Sequence, residues 1–363
     1  MLFNYSVSGL SIFHDLEESK IFKDESALST EYLPPMLPHR EEQIKQLARN
    51  LLPASKGRKP QNTFIYGGPG IGKTATVRYV FREFEEYSDR VKCVYVNCWN
   101  FKTAVAVFSE AARILEVFVQ RRGWSKDEIM ARFVEVVKKS KKNLIVCLDE
   151  VDQLEHDALY DLLRIEQYVD KPIGMVFISN FKDVFADTEP RIRSSLAVEE
   201  LEFKPYTMLE MKDILAERAR CAFHSFDSAA IILCANHAVQ KGGDVRVGLE
   251  CLLKAGHAAE DENASKVCAE HVKKVLRTVS EVKPKILKER VTDTERTIMK
   301  ILGDGKSWKS GELYEAYKKM AKSKSSKPIT DRAFRDCVNH LAEIGLITIA
   351  PKRIGSDRII QKT

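Results

Sequence analysis

The stretch GGPGIGKT at Gly67–Thr74 constrains this chain more than any other eight residues in it. It fits GxxxxGK[ST], a pattern that does its chemistry only as a turn between a strand and a helix. Glycines let successive backbone N–H groups turn inward and cradle phosphate oxygens. The helix that follows adds its positive dipole end. Gly67, Gly68, Pro69, Gly70, Ile71, Gly72, Lys73, Thr74 and Ala75 are therefore read as nucleotide-binding residues. Lys73 is placed to reach β- and γ-phosphates and the Thr74 hydroxyl to ligate Mg²⁺. The flanks supply the context: TFIYG before the turn reads as a strand, and Lys73 to about Glu86 reads as a helix. A turn that merely joined the two would leave the Lys-Thr pair unexplained.

The alternation continues. CVYVNC, LIVCLD and GMVFISN read as further short apolar strands. Helical periodicity fills the gaps at roughly Thr103–Val119, Lys126–Lys139 and Glu155–Tyr168. Ahead of the P-loop, Pro34, Pro35 and Pro38 punctuate a loop, and Ile44, Leu47, Ala48 and Leu51 recur at helical spacing. Strands alternating with helices predict a parallel sheet covered on both faces. From Tyr206 to about Ser280 the pattern is only helical.

Two further motifs belong to the same chemistry. In LIVCLDEVDQL a buried strand ends in adjacent acids, where α/β sheets place their ligands. Asp149 is expected to hold Mg²⁺, directly or through water, and Glu150 to orient or polarise an attacking water. The bland alternative is a pair of acids stabilised by a helix N-terminus. Asn180 ends the next strand, where its amide can reach a γ-phosphate or that water. Arg246, in GGDVRVGLE, stands in the first turn of a helix of the all-helical segment and could sense a γ-phosphate from there.

With 363 residues the chain is long enough for two or three domains. No stretch approaches the ~20 apolar residues of a membrane span, and the N-terminus lacks the pattern of a signal peptide. The eight cysteines form no CxxC pair, so buried reduced thiols in a cytosolic protein are expected. Charge is unevenly spread. Pro284–Thr363 holds 18 Lys and Arg against 10 Asp and Glu, whereas the rest of the chain holds 40 against 42. A basic module on a near-neutral body suits a polyanion, though a merely solvated basic surface has the same composition.

From about Thr292 that module reads as three helices and two short strands. In ITDRAFRDCVNHLAEIGLI, Phe334, Val338 and Leu341 face inward, with Ile344 near the end and Gly345 as a C-cap. Arg332 and Arg335 fall on the other side. LITIA, the basic turn PKRIGSDR and a final II look like a wing. This is a helix-turn-helix variant, whose third helix would enter the major groove. Arg332 and Arg335 would then touch bases or phosphates, and Lys352, Arg353 and Arg358 phosphates.

Gly67–Thr74, the acids Asp149 and Glu150, Asn180 and Arg246 together resemble the Walker A, Walker B, sensor-one and sensor-two motifs of an AAA+ ATPase. IFKDESALSTEYLPPMLPHREEQIKQLARNL, PRIRSSL and FKPYTMLEMKDILAERA closely resemble archaeal replication initiators of the origin-recognition and cell-division-cycle-six type. The similarity runs from about Ile21 to the C-terminus. It implies an α/β fold: an AAA+ parallel-sheet P-loop base (21–203) after a tail (1–20), an all-helical lid (204–283) and an α+β winged-helix domain (284–363). It implies ATP or ADP with Mg²⁺, double-stranded origin DNA as partner, a replicative helicase to be recruited, and oligomerisation on DNA. It sets His39 and Arg40 near the adenine and Tyr206 and Arg218 against nucleotide from the lid. It also implies an initiator-specific insertion within about Phe101–Lys126, whose Arg121 and Arg122 would face DNA backbone. Arg191 and Arg193 are the arginine-finger candidates, but Ser194-Ser195 stands where related eukaryotic subunits carry a Ser-Arg pair. Hydrolysis is accordingly expected to be slow, with ATP acting more as a switch than as fuel. Two rivals share these motifs: a nucleotide-gated transcription or signalling regulator, and a clamp-loader-like subunit.

Overall fold

The apolar runs become the strands of one parallel sheet. They are β1 (Thr63–Tyr66), β2 (Val91–Asn97), β3 (Asn143–Asp149), β4 (Ile173–Ser179) and β5 (Glu199–Glu202), side by side in the order β2-β3-β4-β1-β5. In this computed structural model the described residues are 19–117, 124–186, 188, 196–276, 292–303, 307–323, 329–343, 347–350 and 359–362. Every residue of β1 and β4 is buried, as central strands covered on both faces require. The sequence reading missed β5. Its EELE alternates partly buried with exposed positions, and it pairs with β1 alone. A short edge strand with one neighbour carries too little apolar signal to be read from pattern.

Helices α1 (Glu41–Leu51), α2 (Lys73–Tyr87), α3 (Ala104–Ile114), α4 (Lys126–Lys139) and α5 (His156–Arg164) cover this sheet. Two differ from expectation. α3 stops well before Val119, because Glu116 takes a left-handed φ of 61°. α5 tightens into a 3₁₀ turn over Ile165–Tyr168. α4 starts where Ser125 and Glu128 form a reciprocal capping box. Residues Arg121 and Arg122 of the expected insertion lie outside the described residues, as do Arg191 and Arg193.

Helices α6 (Met208–Ala222), α7 (Ser228–Gln240) and α8 (Val245–Asp261) follow. The segment before α1 is built into them. Lys23 N donates to Ala222 O at 2.7 Å, and the Phe22 ring lies 5.2 Å from that of Phe223. The order of contacts therefore puts residues 21–28 against the lid helices. All eight cysteines are free thiols. Among the described residues no helix is long and apolar enough to cross a membrane.

Contacts divide the chain into two units, Met1–Val275 and Leu276–Thr363. The second contains α9 (Asp293–Leu302), β6 (Ser307–Lys309), α10 (Ser310–Ser323), α11 (Asp331–Glu343), β7 (Ile347–Ala350) and β8 (Ile359–Lys362). Its strands form an antiparallel sheet in the order β6-β8-β7. The three-residue β6 gave no sequence signal, so this sheet has one strand more than expected. Phe334, Val338 and Leu341 of α11 pack with Ile298, Leu313 and Tyr317 in a separate core. Arg332 and Arg335 are exposed on the opposite side of α11. Gly345, Lys352, Arg353 and Arg358 lie outside the described residues.

Phe334 is fully buried beside Tyr314 and Tyr317. Phe334→Ala is expected to destabilise this unit by about 3–5 kcal/mol, and Arg335→Ala by less than about 0.5 kcal/mol. Denaturant unfolding followed by far-UV dichroism measures both, and equal midpoints for the two variants would contradict this core.

Candidate functional site

Strand order decides what meets at the site. β4 lies between β1 and β3, so the residue after β4 falls between the P-loop, which follows β1, and the acids, which end β3. That residue is Asn180. Its Oδ1 accepts from Lys73 Nζ at 2.9 Å, and the same ammonium donates to the carbonyls of Gly67 and Gly68 at 2.7 Å each. Lys73 opens α2, directly after Gly72. Gly67 has a φ of 147°, and a Cβ there would stand 2.2 Å from the Phe203 carbonyl, so no other residue fits.

On the other side of the cleft, Asp149 is 4% exposed and saturated with donors. Its Oδ2 accepts from the Thr74 hydroxyl and from the Tyr95 phenol, both at 2.6 Å, and its Oδ1 from Glu150 N at 2.9 Å. Glu150 takes a left-handed φ of 55°, a conformation costly for a residue with a Cβ. It turns the carboxyl away from the strand into the cleft. Burial, followed by Asp149 and Asp152, raises the Glu150 pKa. Asp152 accepts from the Ser179 hydroxyl at 2.7 Å. Burial pushes Lys73 down to about 8, against the pull of Asp149 and with a further push from Arg246.

Lys73, Thr74, Tyr95, Asp149, Glu150 and Asn180 line a cavity of about 370 Å³ together with Pro69, Gly70, Gly72 and Ala75. Its lining also includes apolar Leu33, Pro34, Met36, Leu37, Pro38, Ile214 and Leu249. A lining that mixes cationic and polar groups with apolar ones, in a volume typical of small-molecule sites, suits a ligand that is part anion and part flat heterocycle. Thr74 and Asp149 offer hard oxygen donors side by side, the donor chemistry that Mg²⁺ takes.

The sequence-predicted residues divide into those on the cavity wall and those behind it. Tyr206 and Arg218 line the cavity, Tyr206 beside Gly72. Arg218 spends its donors on three carbonyls, Ala27 at 2.5 Å, Ser29 at 2.6 Å and Tyr32 at 3.3 Å. It therefore fixes the segment that walls the cavity. His39 and Arg40 do not line it. His39 has a φ of 64° and turns outward to Asp213, 3.2 Å away on α6. Arg40 is buried behind the P-loop, donating to Ile71 O at 2.9 and 3.2 Å and to Lys204 O at 3.0 Å, with its guanidinium 3.8 Å from the Tyr206 ring centre. Gly68 contributes its carbonyl to Lys73, and Ile71 is fully buried. Arg246 lines the cavity from the start of α8.

Sequence reasoning missed four participants: Tyr95, Arg78, Asp152 and Asp244. Tyr95 sits in VYVNC two residues before the strand end, and a hydroxyl among apolar residues was its only signal. Arg78 lies over the Tyr95 ring at 4.7 Å and pairs with Glu31 at 3.0 Å. Both contacts are long-range and left no mark on local pattern.

Family models match along the chain: an AAA domain over residues 56–180, a Cdc6 AAA+ ATPase-type lid domain over 212–276 and a CDC6 C-terminal winged-helix domain over 296–362. The ORC1-type DNA replication protein 1 of Archaeoglobus fulgidus is 35% identical, with 96% of this chain and 90% of that protein covered. The chain belongs to the ORC1/Cdc6 family of DNA replication initiators. A second member, the ORC1-type DNA replication protein of Thermococcus kodakarensis, is 34% identical over 93% of this chain and 86% of its own length. Among solved structures, the Aeropyrum pernix ORC1 protein in complex with DNA superposes with a TM-score of 0.77 at 32% identity, covering 95% of this chain and 94% of that one. Cdc6p of Pyrobaculum aerophilum, at 24% identity, shares the fold with a TM-score of 0.66. This ORC1/Cdc6 chain thus has the three-part fold expected: parallel-sheet base, helical lid and winged helix.

The planar Arg40 fork reaches Ile71 O through two nitrogens and Lys204 O through one of them, a fixed geometry that a lysine's single nitrogen on a shorter stem does not reproduce. Arg40→Lys should therefore cost about 1.5–3 kcal/mol of stability, read from denaturant unfolding of the full chain. An unchanged midpoint would show that the fork does not hold the P-loop.

Proposed function

We propose that this chain is an ATP-regulated replication initiator that binds double-stranded origin DNA and helps recruit the replicative helicase. The observation that carries the nucleotide part is the meeting of Lys73 with Asn180 and of Thr74 with Asp149 in one cavity that apolar residues also line. ATP or ADP would place its phosphates against the P-loop amides and Lys73, and its base among Leu33, Pro34 and Met36. Thr74 and Asp149 would hold Mg²⁺, which supplies charge neutralisation for the phosphates. Glu150, with its raised pKa and its carboxyl in the cavity, would take the base role, and Asn180 would orient water or the γ-phosphate. Arg246 would read the γ-phosphate. Arg191 or Arg193 would serve as the finger to a neighbouring copy on DNA. We assign the boundaries as a tail at 1–20, base at 21–203, lid at 204–283 and winged helix at 284–363.

The DNA part is supported by three things: the relative solved with DNA, the basic excess of 284–363, and the exposed Arg332 and Arg335 on α11. α11 would enter the major groove, and Lys352, Arg353 and Arg358 would follow the backbone, with Arg121 and Arg122 adding contacts from the base. Helicase recruitment is carried over from the family alone. Hydrolysis would be slow, and the nucleotide would act as a switch.

Lys73 must be protonated to bind phosphate, and its free pKa is lowered to about 8. Below that pH the ammonium is ready; above it, binding takes up a proton. Mg·ATP affinity should thus be flat below pH 8 and fall towards tenfold per unit above it. Calorimetry in buffers of different ionisation enthalpy measures both affinity and proton uptake. Lys73→Ala should abolish binding, and retained tight binding would remove the nucleotide reading.

On DNA, Arg332→Ala in the full chain should weaken binding to origin-derived duplex. If Arg332 touches phosphate, the loss is uniform across sequences and the salt slope falls by about one unit. If it reads a base, about 1–3 kcal/mol of discrimination is lost at one position. A titration over several salt concentrations separates these outcomes, and no change in either quantity would exclude α11 as the reading helix.

A further inference from the structure

The first turn of α8 carries an arrangement that the motif reading of Arg246 does not use. The Arg246 guanidinium does not point freely into the cavity. It makes a two-pronged pair with Asp244, Nε to Oδ1 at 3.0 Å and Nη2 to Oδ2 at 2.9 Å. Asp244 is also the N-cap of α8, its Oδ1 accepting from Arg246 N at 2.9 Å. This carboxylate lies on the P-loop. A Cβ built on Gly70 would stand 1.8 Å from Asp244 Oδ1, and Val245 N donates to the Gly70 carbonyl at 3.0 Å. The aspartate, its arginine partner and the phosphate cradle therefore share one loop.

We propose that Asp244 is a built-in competitor of the terminal phosphate for Arg246, and so sets how strongly the cleft prefers a triphosphate over a diphosphate. The proposal rests on the nucleotide reading of the cleft. Its logic is electrostatic. A guanidinium pairs best with planar or tetrahedral oxyanions that accept two parallel N–H bonds. Asp244 already supplies such an acceptor at ideal distances. A γ-phosphate gains Arg246 only by taking it from Asp244, so the energy it gains is the difference between two strong pairs. A diphosphate ends short of that contest. Arg246 needs no domain movement to change partners, because it already lines the same cavity as Lys73 and Glu150.

Asn at this position separates the charge from the cap. Asparagine caps helices as well as aspartate does, so Asp244→Asn keeps the start of α8 while removing the competing anion. Full-length protein is titrated with a non-hydrolysable ATP analogue and with ADP, both with Mg²⁺. Asp244→Asn should tighten the triphosphate analogue three- to tenfold and change ADP less than twofold. In an Arg246→Ala background the selective gain should disappear. Equal tightening of both nucleotides, or a selective gain that survives without Arg246, would show simple repulsion and overturn the proposal. Weaker triphosphate binding would overturn it in another way, by making Asp244 the residue that aims Arg246 at the phosphate. Failure of the underlying reading looks different: wild type would bind neither nucleotide, and Lys73→Ala would change nothing.

Discussion

A buried ammonium whose direct partners are neutral oxygens is the constraint on which the rest of this site depends. Lys73 is 7% exposed and meets two carbonyls and one amide. Those dipoles solvate its charge without cancelling it, so the cleft keeps a positive centre. An adjacent carboxylate would have quenched it. The nearest candidate, Asp149, is instead held by Thr74 and Tyr95. Charge separation of this kind in a low-dielectric site is costly unless both groups are fully hydrogen-bonded, and here both are.

Strand order makes that separation possible. With β4 inserted between β1 and β3, the cation and the anion rise from strands that are not neighbours, and Asn180 stands between them. The same economy of neutral acceptors recurs at the two buried arginines. Arg40 and Arg218 donate to main-chain carbonyls rather than to carboxylates. Each pins irregular backbone where no sheet or helix can satisfy it: the P-loop in one case, the 27–32 segment in the other. Family likeness placed both arginines beside nucleotide. The geometry gives them a holding role, with Arg218 at the cavity wall and Arg40 one layer behind.

What could be read from the sequence follows from the range of each interaction. The P-loop, the Asp149–Glu150 pair and Asn180 were legible because each is defined by neighbours within eight residues and by the strand that precedes it. The core face of α11 was legible because Phe334, Val338 and Leu341 keep helical spacing. β5 and β6 were not, since four and three residues with a single partner strand carry no period. The Tyr95 bond to Asp149 bridges 54 positions, and the Arg78 pair with Glu31 bridges 47. Neither residue type is unusual where it stands, so only the folded chain shows what it touches. The 21–28 segment was misleading for the same reason: it precedes the base in sequence but packs on helices some 200 residues later.

That packing bears on how nucleotide could move the lid. α8 has 17 residues, so it is about 25 Å long. Its first residue is bonded to the P-loop through Val245 N and Gly70 O. Eleven residues on, Gly256 is pressed so closely by Phe22 and Phe223 that a Cβ would come within 2.3 Å of the Phe22 ring. A rigid rod tied at one end to the phosphate cradle and fitted tightly near its far end cannot slide without breaking one contact. On the nucleotide reading proposed above, a change in the grip on phosphate at Gly70 would be passed along α8 to its packing on the N-terminal segment, whose later residues line the same cavity. α8 thus joins the P-loop and the N-terminal segment, both of which line that cavity, through a single element.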